Sequence, residues 1–252
     1  PIRDAFGVEA DKMVDRTMTK GKEYRRQMKV RLGLDPEKRV VLAMGGGEGV
    51  GSLSKITEKL HLEMKAKGVD ATILVVCGRN ANLREELNSK DWQSVPMPRE
   101  KVKNLLGKLG KKKDSPQLES DPKLGNVDVV GLGFVNNMAE YMVAADVLVS
   151  KAGPGTIAEA ASLGLPVMIT SFLPGQEAGN VDIVLDGEFG AFCKKPPKIA
   201  QIVTSWLQDD AKLDELSRNS AKVGNPHAAS NIALDIGRIT LETMDNNYRK
   251  CT

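Results

Sequence analysis

Thr156, Glu159, Gln176, Glu177 and Asn180 fall within one stretch, VLVSKAGPGTIAEAASLGLPVMITSFLPGQEAGN, from Val147 to Asn180. Apolar Val147 to Val149 read as a short buried strand, and Lys151 to Gly155 break it into a loop whose Gly and Pro suit close approach of backbone to a ligand. From Thr156 the spacing turns helical through Ile157, Ala158, Ala160 and Ala161, until Gly164 and Pro166 stop it. A helix opening straight after a glycine turn presents unpaired N–H groups and a partial positive charge, which favour phosphate. One turn deeper, Glu159 can accept hydrogen bonds from a sugar hydroxyl, and beyond a second strand, Pro166 to Ile169, Gln176, Glu177 and Asn180 occupy a polar loop.

A second anion-suited element precedes it. Arg39 to Met44 reads as a strand, and GGGEGVG, Gly45 to Gly51, follows it and opens a helix over Ser52 to Lys67, the layout of a phosphate cradle. Neither standard fingerprint is met: a dinucleotide G-x-G-x-x-G begun at Gly45 finds Val50 in its last position, and a P-loop ending at Gly51 finds Ser52 where Lys belongs. The strand Ala71 to Cys77 ends in Gly78 and Arg79 rather than a ribose-binding acid, which disfavours NAD(P). After a strand at Val127 to Val130, Gly133 and Phe134 sit where a backbone N–H and an aromatic edge can frame a flat base, although the stripe Phe134, Met138, Tyr141, Met142 also has core spacing.

The strands and helices that carry these residues alternate, which predicts a doubly wound, Rossmann-like parallel sheet. The expected organisation is an opening segment and basic helix over 1–38, a ligand-binding domain over 39–226 with a basic insertion at 99–124, and a C-terminal helix over 227–252. Residues 1 to 7 are expected to be extended, and Val8 to Leu32 to form one helix whose cations, among them Lys20, Lys22, Arg25, Arg26, Lys29 and Arg31, face solvent or an anionic membrane. Trp92 to Pro98 is expected to be an irregular strand or loop, and Arg99 to Leu124, rich in Lys, Gly and Pro, a surface loop without fixed structure. Helices are expected over Lys198 to Leu207, Ala211 to Lys222 and Ala228 to Met244, the last long enough to reach a neighbouring domain.

The bulk composition, 252 residues with 41% hydrophobic, 27% charged and net charge +3, is ordinary for a globular α/β chain and too weakly basic to argue for nucleic acid. No apolar run approaches the roughly 18 residues of a membrane span. Cys77, Cys193 and Cys251 have no metal spacing and read as reduced thiols; with only His61 and His227 besides, zinc is disfavoured. The chain opens on Pro1 rather than Met, which suggests a fragment, any targeting peptide or earlier domain lying out of view.

SKAGPGTIAEA with SFLPGQEAGN, MGGGEGVG, CGRN and GFVNNMAEYM together resemble the carboxyl-terminal, donor-binding half of the monogalactosyldiacylglycerol synthases, in glycosyltransferase family 28. The likeness covers nearly the whole chain except Arg99 to Leu124. It implies a two-domain (GT-B) architecture and an inverting transfer of galactose from UDP-galactose to 1,2-diacylglycerol, with no metal cofactor. It further implies peripheral contact with anionic lipid at plastid envelope or thylakoid membranes. By the same resemblance, Gly47, Glu48, Gly49, Val50 and Thr156 lie near the diphosphate, with Arg79 on phosphate or base. Phe134, Val135 and Met138 frame the uracil, Glu159 holds the ribose, and Gln176, Glu177 and Asn180 orient galactose. The general base is expected in the amino-terminal domain, with Glu177 the alternative. Rival readings are UDP-glucose or UDP-N-acetylglucosamine on another lipid acceptor, and a nucleotide-binding module without catalysis.

Overall fold

The computed structural model describes residues 3–45, 50–96 and 124–250. Six parallel strands, β1 (Arg39–Met44), β2 (Ala71–Val76), β3 (Val127–Leu132), β4 (Val147–Lys151), β5 (Val167–Ser171) and β6 (Gly190–Phe192), form one sheet in the order β3-β2-β1-β4-β5-β6. Their apolar runs reflect burial on both sides: Val40, Val41, Leu42 and Ala43 are all 0% exposed. Helices α3 (Val50–Ala66), α4 (Ala81–Ser89) and α8 (Pro196–Leu207) share one apolar cluster with Val41, Ile73 and Val149. Helices α1 (Asp4–Met13), α2 (Thr19–Arg31), α5 (Met138–Ala144), α6 (Pro154–Ser162) and α7 (Ala178–Asp186) share the other, with Leu42, Leu74 and Leu148. Helix α9 (Asp210–Val223) adds Leu213 and Leu216 to the first cluster, and α10 (Ala228–Lys250) leaves Ile232, Leu234, Ile236, Ile239 and Leu241 exposed.

This is the doubly wound arrangement read from the sequence. Its consequence for function is geometric. Strands β1 and β4 are neighbours, yet β1 leads into α3 on one face and β4 into α6 on the other. Connections that part in this way open a crevice at the carboxyl ends of the two strands, where ligands of such sheets bind.

The amino-terminal region corrects three expectations. The chain is helical from Asp4 rather than extended, and Val8 to Leu32 is two helices, not one. The break lies at Val14, whose φ of 64° leaves the helical region, and at Asp15, whose Oδ1 accepts from both Thr17 N and Thr17 Oγ1 at 2.8 Å. Gly21 lets α2 lie on this turn, because a β-carbon there would come within 1.9 Å of the Asp15 carbonyl oxygen. The third correction concerns the basic residues, of which Arg25 and Lys29 turn inward rather than to solvent. With Arg16, they converge on the amino ends of β1 and β4. Asp146 Oδ2 accepts from Val40 N at 2.7 Å, Arg25 pairs with Asp146 Oδ1, and Lys29 Nζ lies 2.8 Å from Lys38 O. The Arg16 guanidinium donates to Leu163 O, Val143 O and Ala145 O, carbonyls at the ends of α5 and α6, where helix dipoles favour a cation.

Trp92 stands in a loop, buried, its ring 5.1 Å from that of buried His61 on α3. Cys77 and Cys193 are free thiols. Of the basic insertion expected at 99–124, only Leu124 falls within the described residues, and Cys251 falls outside them.

Candidate functional site

At the carboxyl end of β4 the chain turns at Gly153, the cap residue of α6, and enters the helix at Pro154. The helix thus starts two residues before the expected Thr156, because Pro is preorganised for the first helical position. Pro154 has no N–H and no side chain caps the helix, whose first hydrogen bond runs from Ile157 N to Gly153 O at 3.0 Å. The amides of Gly155 and Thr156 therefore have no partner among the described residues. They point out of the positive end of a helix at the switch point of the sheet.

Two side chains close on the same spot. Lys151 Nζ and Thr156 Oγ1 each lie 3.7 Å from where a β-carbon on Gly153 would sit. Lys151 also pairs with Glu177 Oε1, while Glu177 Oε2 accepts from Leu173 N at 2.8 Å. Asn180 Nδ2 donates to Ala152 O at 2.9 Å. The loop after β5 and the start of α7 are thereby fastened to the end of β4 by two of the three residues expected to meet galactose, Asn180 standing on the helix rather than in the expected loop. The Lys151 ammonium, with the Leu173 N–H, holds the Glu177 carboxyl below its ordinary range. Gln176 is exposed at the rim of this loop.

On the other flank, Glu159 is 12% exposed at its side chain and receives two bonds from Arg3, Nε to Oε1 at 2.8 Å and Nη2 to Oε2 at 2.9 Å. The Arg3 guanidinium lies 5.0 Å above the ring of buried Phe6. Phe6 shares an apolar cluster with Met138 and Ile157, against which Val135 packs, so the 134–138 turn and α6 meet on one face. Phe134 itself is 72% exposed. Arg79 is exposed just past β2, where Gly78 turns with a φ of 57°. Gly47, Glu48 and Gly49 lie outside the described residues, and Val50 opens α3.

All the described candidates therefore stand at the carboxyl ends of strands, after β1, β2, β3, β4 and β5. Sequence reasoning missed two participants. Lys151 was legible, as the one cation inside the glycine-proline loop; Arg3 was not, since nothing in spacing ties it to a residue so far along the chain. A largely apolar cleft of about 550 Å³ adjoins the site, lined by Pro154, Gly155, Ile157, Ala158, Asn180 and Ile183 among others. Among the described residues, no group of three His, Cys, Asp or Glu side chains could hold a metal ion, and no helix is long and apolar enough to cross a membrane.

Comparison with known proteins agrees with this geometry. The family model for the glycosyltransferase family 28 C-terminal domain matches residues 40–180, more than half of the chain. The probable monogalactosyldiacylglycerol synthase, chloroplastic, of Glycine max is 34% identical over 230 residues, 90% of this chain and 37% of that protein. Monogalactosyldiacylglycerol synthase 1, chloroplastic, of Arabidopsis thaliana is 32% identical over 230 residues, with the same two coverages, 90% and 37%. The chain thus spans little more than a third of the length of these curated relatives. Among solved structures, Acinetobacter baumannii MurG superposes with a TM-score of 0.58 at 17% identity, over 86% of this chain and 53% of that one. The C-terminal domain of the group 1 family glycosyl transferase LpcC from Francisella tularensis gives 0.50 at 15% identity, over 79% and 90%. These likenesses show the fold, that of one half of a GT-B glycosyltransferase. Family model, sequence and fold agree that the chain belongs to glycosyltransferase family 28 and carries its C-terminal domain.

Proposed function

We propose that this domain binds UDP-galactose and that the protein containing it transfers galactose, with inversion, to the free hydroxyl of 1,2-diacylglycerol. The observation that carries the reading is the amide pair of Gly155 and Thr156, without a partner among the described residues, with the Lys151 ammonium and Thr156 hydroxyl on the same side of Gly153. Fixed donors of this kind stabilise negative charge without reorganising, which is what departure of a diphosphate demands. In this reading Gly47, Glu48, Gly49 and Val50 also meet the diphosphate, and Arg79 meets phosphate or base. Phe134, Val135 and Met138 frame the uracil, Glu159 takes the ribose, and Gln176, Glu177 and Asn180 read galactose. The names of the curated relatives support galactose as the sugar, diacylglycerol as the acceptor and a plastid membrane as the place of action.

No divalent metal is required, since Lys151 and the amides supply the positive charge. Glu177 is poorly suited as the base: its carboxylate is held ionised by Lys151 and tied to Leu173 N, which lowers its proton affinity. We place the base in sequence outside this chain. Isothermal titration of the domain with UDP, UDP-galactose, UDP-glucose and UDP-N-acetylglucosamine, in EDTA, tests the donor reading. Binding of UDP-galactose in preference to the other two sugars is expected; no heat from any of the four would overturn it.

A further inference from the structure

We infer that Arg3 is a positioning residue for Glu159, and that the pair sets a preference for ribose over 2′-deoxyribose in the nucleotide. The inference rests on the donor reading above, in which Glu159 meets the ribose. A glutamate alone on the second turn of a helix samples many rotamers, and fixing one opposes binding. The two parallel bonds from Arg3, at 2.8 and 2.9 Å, fix both the plane and the direction of the carboxylate before any ligand arrives. An ionised carboxylate offers about four acceptor positions, so a two-pronged arginine leaves one on each oxygen for a pair of neighbouring hydroxyls.

Arg3 is itself held in place. Its carbonyl accepts from Phe6 N at 3.0 Å as α1 begins, and its guanidinium lies over the Phe6 ring, which is 1% exposed. Phe6 belongs to the cluster that contains Met138 and Ile157. The arginine is thus anchored by the same core that carries the two flanks of the nucleotide pocket, as a fixed support requires. A latch that had to leave Glu159 before ligand could enter would be tied down less firmly. The Arg3 side chain is 54% exposed, so truncating it removes little of the core.

The test compares UDP with 2′-deoxy-UDP by titration calorimetry on the wild-type domain and on Arg3→Ala, Arg3→Lys, Glu159→Ala and the Arg3→Ala/Glu159→Ala double variant, with circular dichroism to confirm folding. Wild type is expected to prefer UDP by about tenfold, the size of one hydrogen bond to a charged group. Arg3→Ala should abolish most of that preference, weakening UDP more than 2′-deoxy-UDP, which offers Glu159 one hydroxyl rather than two. Arg3→Lys should restore only part of it, and the double variant should be no worse than Glu159→Ala. Tighter UDP binding by Arg3→Ala would mark Arg3 as a competitor and overturn the inference. Equal weakening toward both nucleotides would also overturn it, because Arg3 would then be attracting phosphate in general. Absence of UDP binding by the wild-type domain would instead overturn the donor reading, and this inference with it.

Discussion

Replacing Lys151 by Met tests whether the end of β4 holds a diphosphate. The substitution keeps the length of the side chain and removes its charge, so the turn at Gly153 and the start of α6 should persist. A hydrogen bond to a charged group contributes about 1.5–3 kcal/mol. Lys151 is 41% exposed, so solvent screening puts its share at the lower end, about 1.5 kcal/mol, or roughly tenfold in affinity. A second effect has the same sign. Without the ammonium, the Glu177 carboxylate, 8% exposed at its side chain, keeps the Leu173 N–H as its one partner among the described residues and repels phosphates bound beside it.

Titration calorimetry separates the two effects when UDP is compared with uridine. Lys151→Met should weaken UDP by tenfold or more and leave uridine unchanged, since uridine has no phosphate to meet Lys151. Adding Glu177→Gln should recover part of the lost UDP affinity by removing the stranded charge, a coupling that a double-mutant cycle reads directly. Equal loss for UDP and uridine would refute the reasoning, because it would mean that the substitution had disturbed the fold of the site. An unchanged ratio with no loss at all would place the diphosphate elsewhere.

Three further outcomes follow from the same structure. Phe134→Ala should leave stability within about 0.5 kcal/mol, because the ring is 72% exposed, yet weaken uridine by about 1–3 kcal/mol if the base stacks on it; thermal melting and calorimetry check the two halves. Asp146→Asn strands the charges of Arg25 and Lys29 and should destabilise the fold by about 3–5 kcal/mol in urea titration monitored by circular dichroism. Burial alone would raise the Asp146 carboxyl, but Arg25 and Lys29 with the Val40 N–H overcome it and hold it well below the usual range. Its contribution is therefore full above the unfolded value of about 4 and declines as pH falls toward the native one, a decline that Asp146→Asn should lack. His61 is pushed down to about 4, by burial first and then by the Lys65 charge, so it favours folding while neutral. That stability is complete above about pH 6.5 and erodes as pH falls toward 4; His61→Phe should flatten this upper limb and leave the Asp146 limb in place.

Much of the fold was open to reading because parallel strands buried on both faces must be apolar throughout, and glycine must stand where backbone meets ligand. Val40 to Ala43, Ile73 to Val75 and Val147 to Val149 carry the first signal, and GPG at Gly153 the second. Helix α6 starts at Pro154, two residues before the helical spacing that begins at Thr156, because proline is preorganised for a first helical position. The break between α1 and α2 had no such signal: Val14 takes a positive φ that its side chain disfavours, imposed by the packing of Gly21 on Asp15. The inward turn of Arg25 and Lys29 was equally hidden, since it depends on Asp146, which the fold alone brings under α2. Arg3 and Glu159 are a contact of the same long-range kind.

The two ends of β4 explain why such contacts fall where they do. At its amino end Asp146 gathers Arg25, Lys29 and the Val40 N–H, while Arg16 and Arg25 cap the last carbonyls of α5, so one carboxylate and several carbonyl oxygens hold three cations. At its carboxyl end Lys151 closes the strand, and α6 begins with amides that have no partner among the described residues. Every helix opens with amides that lack an intrahelical partner, and those of α6 open at the switch point of the sheet, where an anion can complete them. One strand thus joins an ion cluster at one end to an uncapped helix start at the other. Asp146→Asn should accordingly weaken UDP binding only in proportion to unfolding, whereas Lys151→Met should weaken it in a fully folded domain. If Asp146→Asn lowered UDP affinity while its urea midpoint stayed unchanged, this division of labour along β4 would be wrong.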